Sequence, residues 1–288
     1  MSTLQNPFAP FDTALVAAFE DNIRVALSED VGSGDVTGKL VPEDAWVKAR
    51  VVVREAAVLC GAPWFEGVMK QLDARIRIDW RYAEGAMMTL DSEVCAIEAP
   101  ARALLTAERA ALNFLQLLSG VATATHQYVE VVQGTRAAIL DTRKTLPGMR
   151  LAQKYAVRVG GGKNQRLALY DGILIKENHI AAAGGIAAAM RAAQALNAGV
   201  SIQIEVENIA ELEQALATGA DSVLLDNFTL DMMREAVKLT GGRAVLEASG
   251  GVNMQTVRAI AETGVDRISI GSLTKDVRAT DYSLRIVG

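Results

Sequence analysis

From about residue 137 the chain alternates short apolar runs with longer amphipathic stretches. The runs are Ala137–Asp141, Gly172–Lys176, Ile202–Glu205, Ser222–Asp226, Ala244–Ser249 and Arg267–Gly271, all rich in Ile, Leu and Val. Each closes on a polar or charged residue or on glycine, the pattern of buried strands that emerge into a functional rim. Between them residues 186–196, 209–217, 230–239 and 252–262 lack proline and are rich in Ala, Leu, Glu and Met, which predicts helices. A βαβ series of this kind implies a parallel sheet with right-handed crossovers. Six such units favour a closed or nearly closed α/β barrel, with a doubly wound sheet as the alternative. In a barrel, Asp141, Arg143, Lys176, Glu205, Asp226, Ser249 and Gly271 would converge on the rim at the carboxyl ends of the strands.

Residues 1–100 carry another pattern. A helix is predicted over 12–28 and another over 63–72, with strand-like segments at 46–54, 57–60, 75–80 and 93–97. That is an α+β domain. Residues 106–118 place Ala107, Ala110, Ala111, Phe114, Leu115 and Leu118 on one helical face and Arg109, Asn113 and Gln116 on another, as a joint between domains would. The predicted division is an N-terminal α+β sandwich over 1–113, an incomplete barrel of about six parallel strands over 114–273, and a C-terminal segment, 274–288, returning to the N-terminal domain.

Composition narrows the function. Half of the 288 residues are hydrophobic, enough for a large core. Net charge −5 and a pI near 5.3 argue against a general binder of nucleic acid or membrane surfaces, which needs a broad basic face. The first thirty residues hold no basic-then-apolar signal pattern, and no apolar run approaches the roughly 20 residues of a membrane span, so a cytoplasmic location is expected. Cys60 and Cys95 stand apart, without a CxxC or a neighbouring His, and read as buried free thiols. With only two histidines and no Ser-His-Asp or Cys-His pattern, neither a zinc site nor nucleophilic catalysis is indicated.

Against the acidic whole, residues 141–179 form a cationic island with eight Lys/Arg and three Asp/Glu. A small polyanion is the ligand this suggests. Arg143 and Arg166 suit planar, bidentate carboxylates; Lys144 and Lys176 suit phosphate. Lys176 ends an apolar strand, where a charge needs an anionic partner. Glu205 and Asp226 end the next two strands, with Glu207 expected on the face of Glu205, and such carboxylates hold Mg²⁺ through its water shell or steady a cationic transition state. Ser249-Gly250-Gly251 and Gly271-Ser272 precede helical stretches and could cradle a phosphate on backbone N–H groups. Gly160-Gly161-Gly162-Lys163-Asn164 is no P-loop, because no Ser or Thr follows the lysine.

Six segments in order, Glu29-Asp30-Val31-Gly32-Ser33-Gly34-Asp35-Val36-Thr37, Glu108-Arg109-Ala110-Ala111-Leu112-Asn113-Phe114, Asp141-Thr142-Arg143-Lys144-Thr145-Leu146-Pro147-Gly148, Leu174-Ile175-Lys176-Glu177-Asn178-His179, Glu205-Val206-Glu207-Asn208 and Leu225-Asp226-Asn227-Phe228, resemble the quinolinate phosphoribosyltransferase family. The resemblance implies an incomplete α/β barrel behind an α+β domain, in a homodimer whose active sites are shared between subunits. It implies a quinolinate site of Thr142, Arg143, Lys144, Gln165, Arg166 and Lys176, completed by Arg109 from the neighbouring subunit. Lys144, Lys176, Glu205, Asp226, Ser249, Gly250, Gly251, Ile270, Gly271 and Ser272 would take phosphoribosyl pyrophosphate, Glu205 and Asp226 would meet Mg²⁺, and Lys144, Lys176, Glu205 and Asp226 would carry catalysis. The chain departs from the family at Asn164-Gln165-Arg166, where the family commonly has Asn-His-Arg. That replaces a potential imidazolium with a neutral amide.

Implied activity is the decarboxylating transfer of phosphoribose to quinolinate, giving nicotinate mononucleotide, pyrophosphate and CO2 for NAD synthesis. Two other readings stand beside it. One is a related phosphoribosyltransferase acting on another acid such as nicotinate; the other is a non-catalytic phosphate-ligand binder on the same fold. Three arginines favour a diacid, and the carboxylates at 205 and 226 count against a mere binder.

Overall fold

Asp12 opens the first helix: its carboxylate accepts from the Leu15 N–H at 2.8 Å, capping α1 (Thr13–Asp30). In the computed structural model, which describes residues 3–287, the chain continues through β1 (Trp46–Val53), β2 (Ala57–Val58), α2 (Ala62–Leu72), β3 (Arg77–Trp80), β4 (Met87–Met88), β5 (Glu93–Pro100) and α3 (Ala101–Val131). Then come β6 (Ala138–Leu140), α4 (Arg150–Val159), β7 (Gly172–Ile175), α5 (Glu177–Ala183), α6 (Ile186–Ala195), β8 (Ser201–Val206), α7 (Ile209–Ala217), β9 (Ser222–Asp226), α8 (Leu230–Thr240), β10 (Val245–Ser249), α9 (Val257–Ala261), β11 (Arg267–Ser269), α10 (Ser272–Lys275) and β12 (Tyr282–Ile286). Two compact units form, each discontinuous in sequence. The first holds residues up to His126, Leu146–Gly161 and those from Thr274 on; the second holds Gln127–Thr145 and Gly162–Leu273.

The first unit is built on an antiparallel sheet of order β12-β1-β5-β3, in which β12 pairs along β1 from Val53↔Tyr282 to Ala49↔Ile286. Val51, Val53 and Ile97 point into its core with Phe65, Val68 and Met69 of α2. Trp64 is buried among Phe11, Phe19 and Tyr155, with ring centroids 5.3–5.8 Å away. Trp80 is buried too, whereas Trp46 is 53% exposed with the Arg75 guanidinium over its ring. Cys60 and Cys95 are both buried free thiols, and burial pushes both up.

Helix α3 runs well past the 106–118 expected from its clearest apolar face. Leu104, Ala107, Ala111, Leu115, Leu118, Ala122 and Thr125 all lie buried at helical spacing, so packing carries the helix through Gly120 and the β-branched Thr123 and Thr125. Helix α4 escapes the sequence pattern because it buries polar residues, Gln153 and Lys154, beside Tyr155 and Val157.

The second unit contains one parallel sheet of order β6-β11-β10-β9-β8-β7. Five strands follow in sequence order and β6 joins beyond the last of them. Such a cyclic order is that of a barrel, here incomplete, since β6 and β7 are its two edges. Residue Lys163 bridges in parallel to Leu140 along the free edge of β6. Period-two alternation sorts the strands: Ile204, Val206, Val223, Leu225, Leu246, Ala248 and Ile268 lie on one buried face. Gln203, Glu205, Leu224, Asp226, Glu247, Ser249 and Ser269 lie on the other. Helix α9 is shorter than the predicted 252–262, because the Asn253 carboxamide accepts from the N–H groups of Gln255 and Thr256 and holds residues 253–256 in a turn.

Candidate active site

At the carboxyl end of the sheet, Ile175 pairs with Ile204, so Lys176 emerges level with Glu205. Lys176 Nζ donates to Glu205 Oε2 at 2.7 Å; the Glu205 side chain is only 10% exposed, that of Lys176 44%. Helix α5 begins at this point, and its His179 turns inward on the chain: Nδ1 accepts from the Lys176 N–H at 3.0 Å. The imidazole thereby fixes the backbone from which Lys176 projects. Strand β8 ends at Val206, leaving Glu207 exposed beyond it, where its N–H donates to Glu211 rather than its carboxylate joining Glu205.

One strand further, Asp226 pairs in register with Ser249. Asn227 follows with a left-handed φ of +55°; its amide donates to Asp226 Oδ2 at 2.9 Å and its N–H to Ser249 O at 3.0 Å. This turn requires Gly250. Its φ is +96°, and a Cβ there would stand 2.1 Å from Asn227 Oδ1. Gly251, at φ +61°, completes an exposed Ser-Gly-Gly loop at the end of β10.

The pairing of β6 with β11 closes a gap of more than a hundred residues. Ile270 N–H donates to Leu140 O at 2.9 Å, which sets Gly271 against Lys144: a Cβ at Gly271 would lie 3.0 Å from Lys144 Cδ, 3.8 Å from its Nζ and 3.6 Å from Thr142 Oγ1. Thr142 Oγ1 in turn accepts from the Lys144 N–H at 3.1 Å. Thr142, Lys144, Ile270 and Gly271 therefore meet, with Ser272 next in the chain, and with Lys176, Glu205, Asp226 and Ser249–Gly251 they occupy the carboxyl ends of the strands.

Gln165 and Arg166 lie elsewhere in the sheet. They line a cavity of about 330 Å³ together with Gly172, Ser201, Ser222, Val245 and Arg267, the opening residues of five strands. Gln165 Nε2 donates to Gln203 Oε1 at 2.8 Å, and Gln203 Nε2 to Glu247 Oε2 at 2.9 Å. Arg166 donates to Gly172 O at 2.9 Å, and burial followed by repulsion from Arg143 lowers its guanidinium. Asp141, expected on the rim, is instead fully buried: its carboxylate accepts from Asn164 Nδ2 at 2.6 Å and from Gln165 N–H at 2.9 Å. It anchors the segment that carries Gln165.

Gln203 and Glu247 are residues that the strand-end pattern misses. Their signal in the sequence is a polar residue two positions before Glu205 and before Ser249, on the same face of otherwise apolar strands. Arg109 stands exposed on α3, in the first unit. There too, Asp35 of the Gly-rich motif receives Gly38 N–H and Thr106 Oγ1, both at 2.8 Å, and these bonds hold its carboxyl below the usual range.

A protein-only metal cage is absent: among the described residues no three His, Cys, Asp or Glu are grouped to hold an ion. Glu205 and Asp226 do fit a hard cation that keeps its waters and borrows phosphate oxygens from a substrate, since such an ion needs one or two carboxylates and no more. No helix among the described residues is long and apolar enough to cross a membrane. Cationic side chains, carboxylates and a glycine-lined loop at one sheet end are chemically able to hold anionic oxygens and to stabilise positive charge beside them.

Profiles of the quinolinate phosphoribosyl transferase N-terminal and C-terminal domains match residues 35–119 and 121–285. A nicotinate-nucleotide pyrophosphorylase (carboxylating) of Mycobacterium leprae is 41% identical over 93% of this chain and 96% of its own length. A quinolinate phosphoribosyltransferase (decarboxylating) 1b of Nicotiana tabacum is 37% identical, covering 92% of this chain and 81% of its own. The solved structure of the nicotinate-nucleotide pyrophosphorylase from Francisella tularensis superimposes with a TM-score of 0.92 at 42% identity, over 99% of this chain and all of that one.

Proposed function

The chain belongs to the quinolinate phosphoribosyl transferase family, and from that premise we propose that it joins quinolinate to 5-phosphoribosyl 1-pyrophosphate, releasing pyrophosphate and CO2 and forming nicotinate mononucleotide for NAD biosynthesis. It is a glycosyltransferase of the decarboxylating kind. The observation that carries the reading to this chain's own residues is the rim where Lys176–Glu205, Asp226–Ser249 and Lys144–Gly271 sit on neighbouring strand ends.

Each part has a task. Lys144 and Lys176 neutralise phosphate and carboxylate oxygens, and the Ser249–Gly251 and Ile270–Ser272 loops take the 5′-phosphate on backbone N–H groups. As the pyridine nitrogen bonds to the anomeric carbon and the bond to pyrophosphate breaks, positive charge builds on the ribose. Glu205 and Asp226 stabilise that charge electrostatically. Glu205 and Asp226 would hold Mg²⁺, partly through water, and the ion would supply charge neutralisation to the pyrophosphate. The electron pair left by departing CO2 stays on C2 of the ring, where the adjacent pyridinium nitrogen stabilises it, and a proton from water then completes the C2–H bond, so decarboxylation requires no further cofactor. Holding two anions side by side contributes up to roughly 7–11 kcal/mol to such a transfer.

Quinolinate brings two carboxylates, which we assign to Arg143 beside the rim, to Gln165 and Arg166 deeper in the barrel toward the amino ends of the strands, and to Arg109 from the partner subunit of a homodimer. An exposed arginine on α3, outside the barrel unit, supports that arrangement. Purified protein incubated with quinolinate, phosphoribosyl pyrophosphate and Mg²⁺ should release CO2 and nicotinate mononucleotide together. Folded protein that forms neither would overturn the proposal, and product from nicotinate alone would select the related transferase instead.

A further inference from the structure

We infer that Gln203 is a positioning residue for quinolinate recognition, acting through Gln165, and that Glu247 is the buried anchor of this relay. The inference rests on the proposed quinolinate site and adds two residues to it. Gln203 is 6% exposed and Glu247 is fully buried, on the inward face of β8 and β10, with β9 between them. Burial of this kind makes each hydrogen bond decisive, because an unpaired polar group inside a barrel is destabilising.

The hydrogen bonds run outward from Glu247. Its Oε2 accepts, so it takes the Nε2 end of the Gln203 amide. That leaves Gln203 Oε1 as the group facing Gln165, and an amide oxygen only accepts. Gln165 must therefore turn its Nε2 toward Gln203, which commits one of its two N–H donors. The order Glu247, Gln203, Gln165 thus selects one of two amide orientations at a position where a neutral amide has no charge of its own to select it.

The other end of Gln165 is fixed separately. Its backbone N–H donates to buried Asp141, so both the main chain and the side-chain tip are held from inside the barrel. An amide preset in this way meets a ligand carboxylate without first losing rotamer freedom, and binding strengthens by that amount. Glu247 Oε1 has no hydrogen-bond partner, which leaves the bond from Gln203 to Oε2 as the main link between this buried carboxyl and the cavity. Gln203 is hence coupled to both neighbours.

The experiment is a double-mutant cycle on the full chain, reading quinolinate binding by titration and steady-state kinetics with both substrates. Gln203→Met should raise the KM for quinolinate about tenfold, the scale of one desolvated hydrogen bond, while kcat and the KM for phosphoribosyl pyrophosphate stay within about twofold. In a Gln165→Ala background the same substitution should have no further effect on quinolinate. An unchanged quinolinate KM in Gln203→Met, or an equal loss in both backgrounds, would overturn the relay. Should Gln203→Met fail to fold, Glu247→Met removes the acceptor for Gln203 Nε2 and should give the same selective rise; its absence counts equally against the inference. Wild-type protein that neither binds nor converts quinolinate overturns the parent reading and this one together. Wild type that binds it no more tightly than Gln203→Met overturns this one alone.

Discussion

Lys176 Nζ lies 2.7 Å from Glu205 Oε2, and the two residues end adjacent parallel strands. The pair explains how a lysine can stand at the end of an apolar strand: its charge is met by a carboxylate that is itself nearly covered. In the proposed reaction this carboxylate faces the ribose. Glu205→Gln, which keeps the shape and loses the charge, should lower kcat by about 10²–10³-fold, the scale measured when one preorganised electrostatic group is removed. Steady-state kinetics beside a melting curve check it, and a large fall in Tm with unchanged kcat would assign the pair to stability instead.

The glycine loops make a second prediction. Gly250→Ala puts a Cβ 2.1 Å from Asn227 Oδ1 at a φ of +96°, so the Asp226–Asn227 turn must move. Strain of this kind costs about 1–3 kcal/mol, visible in denaturant unfolding. Gly271→Ala is crowded only by the aliphatic part of the Lys144 side chain, at 3.0 Å, the other neighbours standing at ordinary contact distance. It should leave stability nearly unchanged and raise the KM for phosphoribosyl pyrophosphate.

Gln165 predicts a flat pH response. The family's usual histidine would gain charge as pH falls through its ordinary range, whereas an amide does not titrate. Between pH 6 and 8 the wild-type kcat/KM for quinolinate should vary less than that of Gln165→His. Identical profiles for the two would remove Gln165 from the quinolinate site.

Glu84 predicts a pH-dependent stability away from the barrel. It is buried, accepts from the N–H groups of Gly61 and Ala62 at the start of α2, and accepts from Tyr155 Oη at 3.0 Å. Burial outweighs these donors and pushes its carboxyl up to about 7. Because the folded value lies above the ordinary 4.5, its contribution is complete below about pH 4.5 and is lost as pH rises through about 7. A difference of that size corresponds to about 3 kcal/mol. Tm should fall between pH 5 and 8, and Glu84→Gln, which retains an acceptor, should flatten that fall.

Sharing of sites between subunits has its own test. Arg109→Ala and Lys144→Ala should each be nearly inactive, yet their mixture after subunit exchange should recover about a quarter of wild-type activity, since half of the dimers are hybrids with one intact site. A mixture no more active than its components would confine Arg109 to its own subunit.

Much of this fold is legible in the order of residues alone. Alternating apolar runs and proline-free helical stretches place six parallel strands within a residue or two of where they lie, and strand-end polarity points to Lys176, Glu205, Asp226 and Ser249, because period-two geometry is local and repeats. The cationic island and the ordered motifs supply the family. Only the tertiary structure decides what depends on neighbours far apart in sequence. Helix α4 hides its polarity in the first unit, and α3 runs through residues of poor helix propensity because packing compensates for them. Asp141 leaves the rim to hold Gln165 from within, since a buried carboxylate goes where N–H donors need an acceptor. The approach of Gly271 to Lys144, and the line from Glu247 through Gln203 to Gln165, arise from strand register across the sheet, which no single segment of the chain contains.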